Sequence, residues 1–323
     1  MQQPNGHLLH TRLLRRARAK YASLPLAVAL AELRSPLERS YRNACYCCGL
    51  LNQGPKLGGG EQLTTRYCGT RWCLVCNRVR IARAITRYEP HLAAWEGKQF
   101  VTLTVPNVLA DVLPGQVDAL VRQSFEHSRN IRRTDKLPYR ALRKLECTYN
   151  AERGDYHPHL HCVVDGEAQA HALVRRHLSA NGGAVPAAQD VRPCADGSLV
   201  ELFKYFTKLT TRVPGAGPDG RARAAVRPAA LDVIFRAMHG RRVYQPQGFT
   251  APVAAGQDEN GDVGDGATPV LSRVGERVTW EWSQCLTDWV DFATGDTLTG
   301  YAPAAPFRAF VESVGDPDAP GAP

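Results

Sequence analysis

Hydrophobic and polar positions repeat along this chain with two periods. Phe100-Val101-Thr102-Leu103-Thr104-Val105 alternates in β-rich residues and stops at Pro106-Asn107, which predicts a strand ending in a turn. Residues 142–149 predict the next strand, and Asn150 to Asp155 form a turn cluster. The run His157-Pro158-His159-Leu160-His161-Cys162-Val163-Val164 follows. In a strand, side chains at i, i+2 and i+4 share a face, so His157, His159 and His161 point one way. Leu160, Cys162 and Val164 point the other. A hairpin centred on the turn pairs residues whose numbers sum to roughly 305, which sets Glu146 opposite His159.

The helical period governs other stretches. Residues 114–132 and 168–180 read as helices, and 181–198 as a connection. In Leu199 to Leu209, helical spacing puts Glu201, Lys204, Tyr205 and Lys208 on one face and Leu202, Phe203, Phe206 and Leu209 on the other. Residues 7–40 are helical and basic, with Pro25 and Pro36 as punctuation, and Arg78 to Tyr88 form a second basic helix. Residues 212–228 read as loop. After a helix, Arg241 and Arg242 form a basic turn. Residues 251–270 read as a linker. Val278 to Val290, with Trp280, Trp282 and Trp289, reads as a hairpin or capping strand, and the tail after Pro303 as disordered. The mixture predicts an α+β fold.

Composition narrows the class. A chain of 323 residues with 44% hydrophobic content suits one large domain or two to three modules with a packed core. It has no apolar run of about 18 residues, and nothing at its N-terminus reads as a secretory signal, so a cytoplasmic location without membrane partners is expected. Residues 251–323 hold 12 Asp and Glu and 3 Arg, a net of −9. With +9 for the whole chain, residues 1–250 carry +18. A body this basic suits a polyanion, most often nucleic acid. Arg71, Arg78, Arg80, Arg241 and Arg242 are the candidate DNA contacts.

Six of the ten cysteines lie between Cys45 and Cys76. Where thiols stay reduced, clustered Cys-x-x-Cys pairs point to metal before disulfide. Cys45, Cys48, Cys73 and Cys76 form two such pairs and predict a structural zinc site, with Cys47 and Cys68 as rivals for the same positions. Glu146 with two of the three imidazoles is a plausible divalent-metal set. A tyrosine flanked by lysines and a glutamate suits phosphoryl transfer, because lysines neutralise the phosphate that the phenol attacks.

In order, the chain carries the strand Phe100–Asn107, then His159-Leu160-His161, then Glu201 and Lys204-Tyr205-x-x-Lys208. With Cys68-x4-Cys73-x2-Cys76 around Arg71-Trp72, this resembles the plasmid rolling-circle replication initiator (Rep) proteins of the HUH endonuclease class. Within that class it resembles the single-tyrosine branch whose third motif pairs a Glu with a Tyr four positions later. The likeness covers roughly residues 40–250. It implies an antiparallel central sheet flanked by helices, ferredoxin- or RRM-like, with an inserted or preceding Cys-rich zinc module.

The likeness also implies chemistry. Mg²⁺ or Mn²⁺ at His159 and His161, with Glu146 or His157 as third ligand and Glu146 favoured by the simplest register, would polarise a scissile phosphate in single-stranded origin DNA. Tyr205 would attack, leaving a 5′-phosphotyrosine and a 3′-OH that primes replication by host polymerase and helicase. Glu201 would activate water or assist the second cleavage, while Lys204 and Lys208 steady the phosphate or phenolate. A homo-oligomer is compatible with this scheme. The expected organisation is a basic helical arm (1–44), a Cys-rich module with a basic helix (45–90), an endonuclease domain (95–250) and an acidic Gly/Pro-rich extension (251–323), partly disordered. The alternatives are an HUH-class relaxase or transposase, or a zinc-containing DNA-binding protein without catalysis.

Overall fold

A computed structural model describes residues 4–55, 61–204, 207–213, 223–251 and 278–314. In chain order the elements are α1 (Pro4–Glu32), α2 (Glu38–Cys45), β1 (Leu50–Pro55), β2 (Glu61–Thr65), α3 (Leu74–Ala93), β3 (Lys98–Thr104), α4 (Leu113–Arg133), β4 (Ala141–Asn150), β5 (Asp155–Asp165) and α5 (Glu167–Ala180). A 3-10 turn (Pro186–Ala188), β6 (Asp190–Pro193), α6 (Asp196–Leu202), β7 (Thr210–Val213), β8 (Arg223–Val226), α7 (Pro228–Met238), β9 (Tyr244–Gln247), β10 (Val278–Ser283), β11 (Asp288–Asp291) and α8 (Ala305–Glu312) follow. The chain forms two compact units, one of Met1–Val79 with Gly261–Pro323 and one of Arg80–Asn260. Among the described residues no helix is long and apolar enough to cross a membrane.

The second unit is built on an antiparallel sheet of order β6-β3-β5-β4-β9. Its centre is the β4–β5 hairpin. Asn150 Oδ1 accepts from the backbone N–H groups of Glu152 and Arg153 (3.0 and 3.2 Å), and Gly154 turns the chain back at φ 68°. The turn carries no bulge, so the expected register holds along the ladder and Glu146 pairs with His159. Pro158 is tolerated inside a central strand for a topological reason. Tyr156 N–H bonds Val108 O, so residue 158 would aim its own N–H toward the same side, and β3 pairs with β5 only as far as His159.

One sheet face, with Val101, Leu103, Leu145, Cys147, Leu160 and Cys162, is buried under α4, α5 and α7. The other face is divided. Phe100, Leu142 and Val163 join Tyr88 and Leu92 of α3, Leu202, Phe203 and Tyr244 in one hydrophobic cluster. Beyond them the same face turns polar, through Glu146, His159 and His161.

In the first unit the sheet order is β11-β10-β1-β2. The C-terminal stretch is therefore not an appended extension. Its described part, 278–314, supplies two strands beside β1, with Leu50 opposite Glu281 and Gln53 opposite Val278. Burial drives this return. Trp289 is fully buried against Trp282 (ring centroids 4.9 Å apart) and donates from Nε1 to Cys48 O at 2.9 Å. The expected disordered tail contains α8, and residues 252–277 and 315–323 lie outside the described residues. The N-terminal stretch is not a free arm either. Within α1, Ala17, Lys20, Tyr21, Leu26 and Leu30 are buried, and the helix runs through Pro25. Packing offsets the roughly 3 kcal/mol that an interior proline costs.

Candidate functional site

Glu146, His159 and His161 bring their ligand atoms within 4.8 Å of one another. His159 Nε2 lies 3.9 Å from Glu146 Oε1 and His161 Nε2 lies 3.6 Å from Glu146 Oε2. The second ring nitrogens orient the set. His159 Nδ1 is 3.0 Å from His157 O, and a carbonyl only accepts, so Nδ1 carries the proton and Nε2 the lone pair. His161 Nδ1 is 3.1 Å from Thr102 Oγ1. These are the outer partners that fix an imidazole for a metal.

Electrostatics favour the ligating forms. Burial pushes His159 down to about 4 and also lowers His161, so both rings are neutral at pH 7. Burial alone would raise Glu146, but Lys144, His159 and His161 outweigh it and the net direction is down. A carboxylate with two neutral imidazoles is a donor set that fits a divalent transition ion.

His157 does not join the group. Its Nδ1 donates to Asn107 Oδ1 at 2.8 Å, and Asn107 Nδ2 donates in turn to Asp155 Oδ1 at 2.7 Å. His157 stacks on His159, ring centroids 5.0 Å apart. Of the two alternatives for a third ligand, the geometry gathers Glu146, because it lies directly across the ladder from His159.

The expected helix over 199–209 is shorter. It ends at Leu202, so Glu201, Lys204 and Lys208 do not share a helical face. The reason is tertiary. Leu202 and Phe203 are drawn into the hydrophobic cluster, and Tyr244 Oη sits 3.4 Å from both Leu202 O and Lys204 O. A continuing helix would give those carbonyls to the N–H groups of residues 206 and 208. Tyr205 lies outside the described residues. Glu201 pairs with Lys204, and its carboxyl is lowered first by that bond. Glu201 also raises His161, and Lys208 lowers His157, so both flanks of the segment are within electrostatic reach of the histidines.

Sequence reasoning did not single out Lys144, Thr102, Asn107 or Tyr244. Thr102 and Lys144 could have been found from the strand pattern, since both share the histidine face.

The cysteine group differs from the expected one. Cys47, Cys68, Cys73 and Cys76 have their Sγ atoms within 4.8 Å of one another. Cys76 Sγ is 3.4 Å from Cys47 Sγ and 3.5 Å from Cys68 Sγ. A tetrahedral ion with Zn–S near 2.3 Å asks for sulfurs about 3.8 Å apart, so the four fit. Cys45 and Cys48 are replaced by the rivals Cys47 and Cys68. Cys45 closes α2, its Sγ 3.5 Å from Tyr41 O. Cys48 takes a left-handed φ of 55° as the chain turns into β1, and its thiol interacts with Thr65. Hydrogen bonds from the neighbouring thiols hold Cys73 well below its ordinary value. The buried Lys20 donates to Cys45 O at 2.8 Å and supplies positive charge beside the sulfurs.

The candidate DNA contacts fare unevenly. Arg78 is exposed, and its charge adds to those of Arg15 and Arg18 on α1. Arg71 and Arg80 are half-buried. Arg241 donates from Nε to Asp118, which offsets its charge within the fold. Arg242 is exposed, while its carbonyl accepts from the buried Arg143 at 3.2 Å.

A pH dependence follows from burial. His127 and His159 are each pushed to about 4, against about 6.5 for histidine in an unfolded chain. The unfolded chain therefore binds protons first. The contribution of each is full above pH 6.5 and is lost as pH falls toward 4, by about 2 kcal/mol per histidine at pH 5. Thermal melts without added Mn²⁺ should fall steadily from pH 7 to pH 5, with a shallower slope in His127→Gln. A flat midpoint over that range would contradict the buried, neutral imidazoles.

Residues 60–167 match the replication protein family. Over 102 residues the chain is 31% identical to "Protein rep" of Staphylococcus aureus, a stretch that is 30% of this chain and 44% of that protein. The chain thus spans less than half the length of that relative. No solved structure matches. The matched segment carries Cys68, Cys73, Cys76, Glu146, His159 and His161, and Cys47, Glu201 and Tyr205 fall outside it. This central third of the chain is similar to replication proteins.

Proposed function

We propose that the protein is a plasmid rolling-circle replication initiator, a nicking and joining endonuclease of the HUH class in its single-tyrosine branch. The observation that carries this reading is the Glu146–His159–His161 group on a central antiparallel hairpin, with Glu201 within its electrostatic reach. The likeness of residues 60–167 to replication proteins supports it.

In this reading Glu146, His159 and His161 hold a divalent cation, and a mixed nitrogen–oxygen set suits Mn²⁺ better than Mg²⁺. The bound cation supplies Lewis-acid polarisation of a phosphoryl oxygen. The chain's own groups do the rest. The Tyr205 phenolic oxygen forms a bond to phosphorus as the bond to the 3′ oxygen breaks. Tyr205 loses its proton to solvent or a nearby base, and the leaving oxygen takes one up as the 3′-OH. Lys204 and Lys208 offset phosphate charge. Glu201, ionised because Lys204 holds its carboxyl low, accepts a proton from water in the terminating step. Cys47, Cys68, Cys73 and Cys76 hold a structural Zn²⁺. The basic residues, Arg78 and Arg242 among them, meet origin DNA, and host helicase and polymerase act on the nicked product.

The test is chemical. Supercoiled plasmid carrying the origin is incubated with the protein and Mn²⁺, the covalent product is digested, and the adducted peptide is identified by mass spectrometry. The expected peptide carries the adduct at Tyr205, and Tyr205→Phe yields none. An adduct on another residue removes Tyr205 as nucleophile. DNA binding with neither nick nor adduct would favour a binding protein instead.

A further inference from the structure

Lys144 is buried without exposed side-chain area, and its Nζ lies 2.7 Å from Glu146 Oε2. A lysine is almost never fully buried unless paired. Here strand geometry dictates the pair. Lys144 and Glu146 are two residues apart on β4 and so share a face. In the sheet register Lys144 stands opposite His161 on β5 and Tyr244 on β9, so three strands surround the ammonium.

The accepting oxygen is the one that matters. Glu146 Oε2 is also the atom 3.6 Å from His161 Nε2. The carboxylate oxygen nearest a ligating nitrogen is therefore already held by a cation. We propose that Lys144 is an internal counter-cation that pairs with Glu146 and competes with the divalent metal for it, so that metal and DNA phosphate enter the site together. This rests on the metal-centre reading above.

The reasoning is one of charge. Glu146 brings one negative charge to the group and Lys144 cancels it. Site affinity for a hard divalent ion rises with the charge of its ligands, so this site is weak when empty of DNA. A dication beside a buried ammonium is repelled, and burial strengthens that repulsion. A phosphodiester changes the balance by adding a negative charge. That charge, set beside the ion, offsets the repulsion between dication and buried ammonium. Glu201 lies within electrostatic reach of both Lys144 and Glu146. Coupling of this kind is reciprocal: DNA tightens metal binding and metal tightens DNA binding.

The experiment reads Mn²⁺ directly, from the loss of the free-ion electron paramagnetic resonance signal on titration into full-length protein. Without DNA, Lys144→Met should bind Mn²⁺ about tenfold tighter than wild type, with Lys144→Gln in the same direction. Unchanged or weaker binding in a folded variant overturns the proposal. Should both variants fail to fold, the Tyr205→Phe protein still decides the matter. A single-stranded oligodeoxynucleotide should raise its Mn²⁺ affinity about tenfold, and equal affinity with and without the strand overturns the proposal. Glu146→Gln separates the two ideas. If that variant binds Mn²⁺ as wild type does, the metal centre itself is wrong. If it loses Mn²⁺ while Lys144→Met gains nothing, only the competition is wrong.

Discussion

His161→Ala should abolish nicking and Mn²⁺ binding together. The ring is placed by three neighbours: Thr102 Oγ1 at 3.1 Å, the Phe100 ring at 5.4 Å between centroids, and Glu146 Oε2 at 3.6 Å. Its removal leaves one imidazole and one carboxylate, too few to hold the ion. Metal polarisation contributes several kcal/mol to phosphoryl chemistry. At about 1.4 kcal/mol per factor of ten, the nicking rate should fall by at least ~10³-fold. His157→Ala provides the contrast. His157 is bound to Asn107 and outside the ligand group, so its loss should cost less than about tenfold. The two variants are compared by initial rates on supercoiled plasmid and by Mn²⁺ titration. If His161→Ala keeps its rate within tenfold of wild type, His161 is not a ligand. If His157→Ala is the worse of the two, the group has been drawn on the wrong histidines.

Cys76→Ser should unfold the first unit. Structural zinc in cysteine sites contributes an apparent 10–16 kcal/mol near pH 7, about the whole stability of a small domain. Cys76 Sγ lies 3.4 and 3.5 Å from two of the other sulfurs, so its loss opens the cluster. Trp72, Trp280, Trp282 and Trp289 belong to this unit and Trp95 to the other, so tryptophan fluorescence reports chiefly on the first. Wild type should bind one zinc per chain. A strong chelator should red-shift the emission, and Cys76→Ser should show the shifted spectrum from the start. Cys45→Ser should keep both the zinc and the native emission. Retention of stoichiometric zinc by Cys76→Ser would refute the four-sulfur group, and loss of zinc in Cys45→Ser would restore Cys45 as a ligand.

Much of the candidate site is legible in the sequence. The turn at Asn150 to Asp155 and the alternation on either side are local features, and together they set which residues of β4 and β5 face each other. Glu146 opposite His159 follows from that arithmetic. The segment around Tyr205 was less legible. Its helical spacing is real, yet the helix stops at Leu202 because Tyr244, 42 residues away from Leu202, occupies carbonyls that a longer helix would need. Nothing within the segment carries that information. The edge strand β6 was hidden for a similar reason, since Asp190–Pro193 is a strand only because β3 offers an open edge.

By itself the sequence determined the period-2 strands, the turn between them and the histidine face, because turn chemistry and side-chain alternation act over a few neighbouring residues. It also determined that a sulfur cluster lies between residues 45 and 76. Tertiary structure alone decided which four sulfurs meet. The choice depends on where the end of α2, the Tyr67–Trp72 loop and the start of α3 come together, and two Cys-x-x-Cys pairs look alike until they do. Tertiary structure also decided that the tryptophan-rich stretch after residue 277 returns to β1, where Trp289 finds a burial that a free tail could not supply. It buried Lys144 against the Glu146 carboxylate. A side chain's partner across a sheet can be counted from the sequence, but its desolvation depends on everything packed around it.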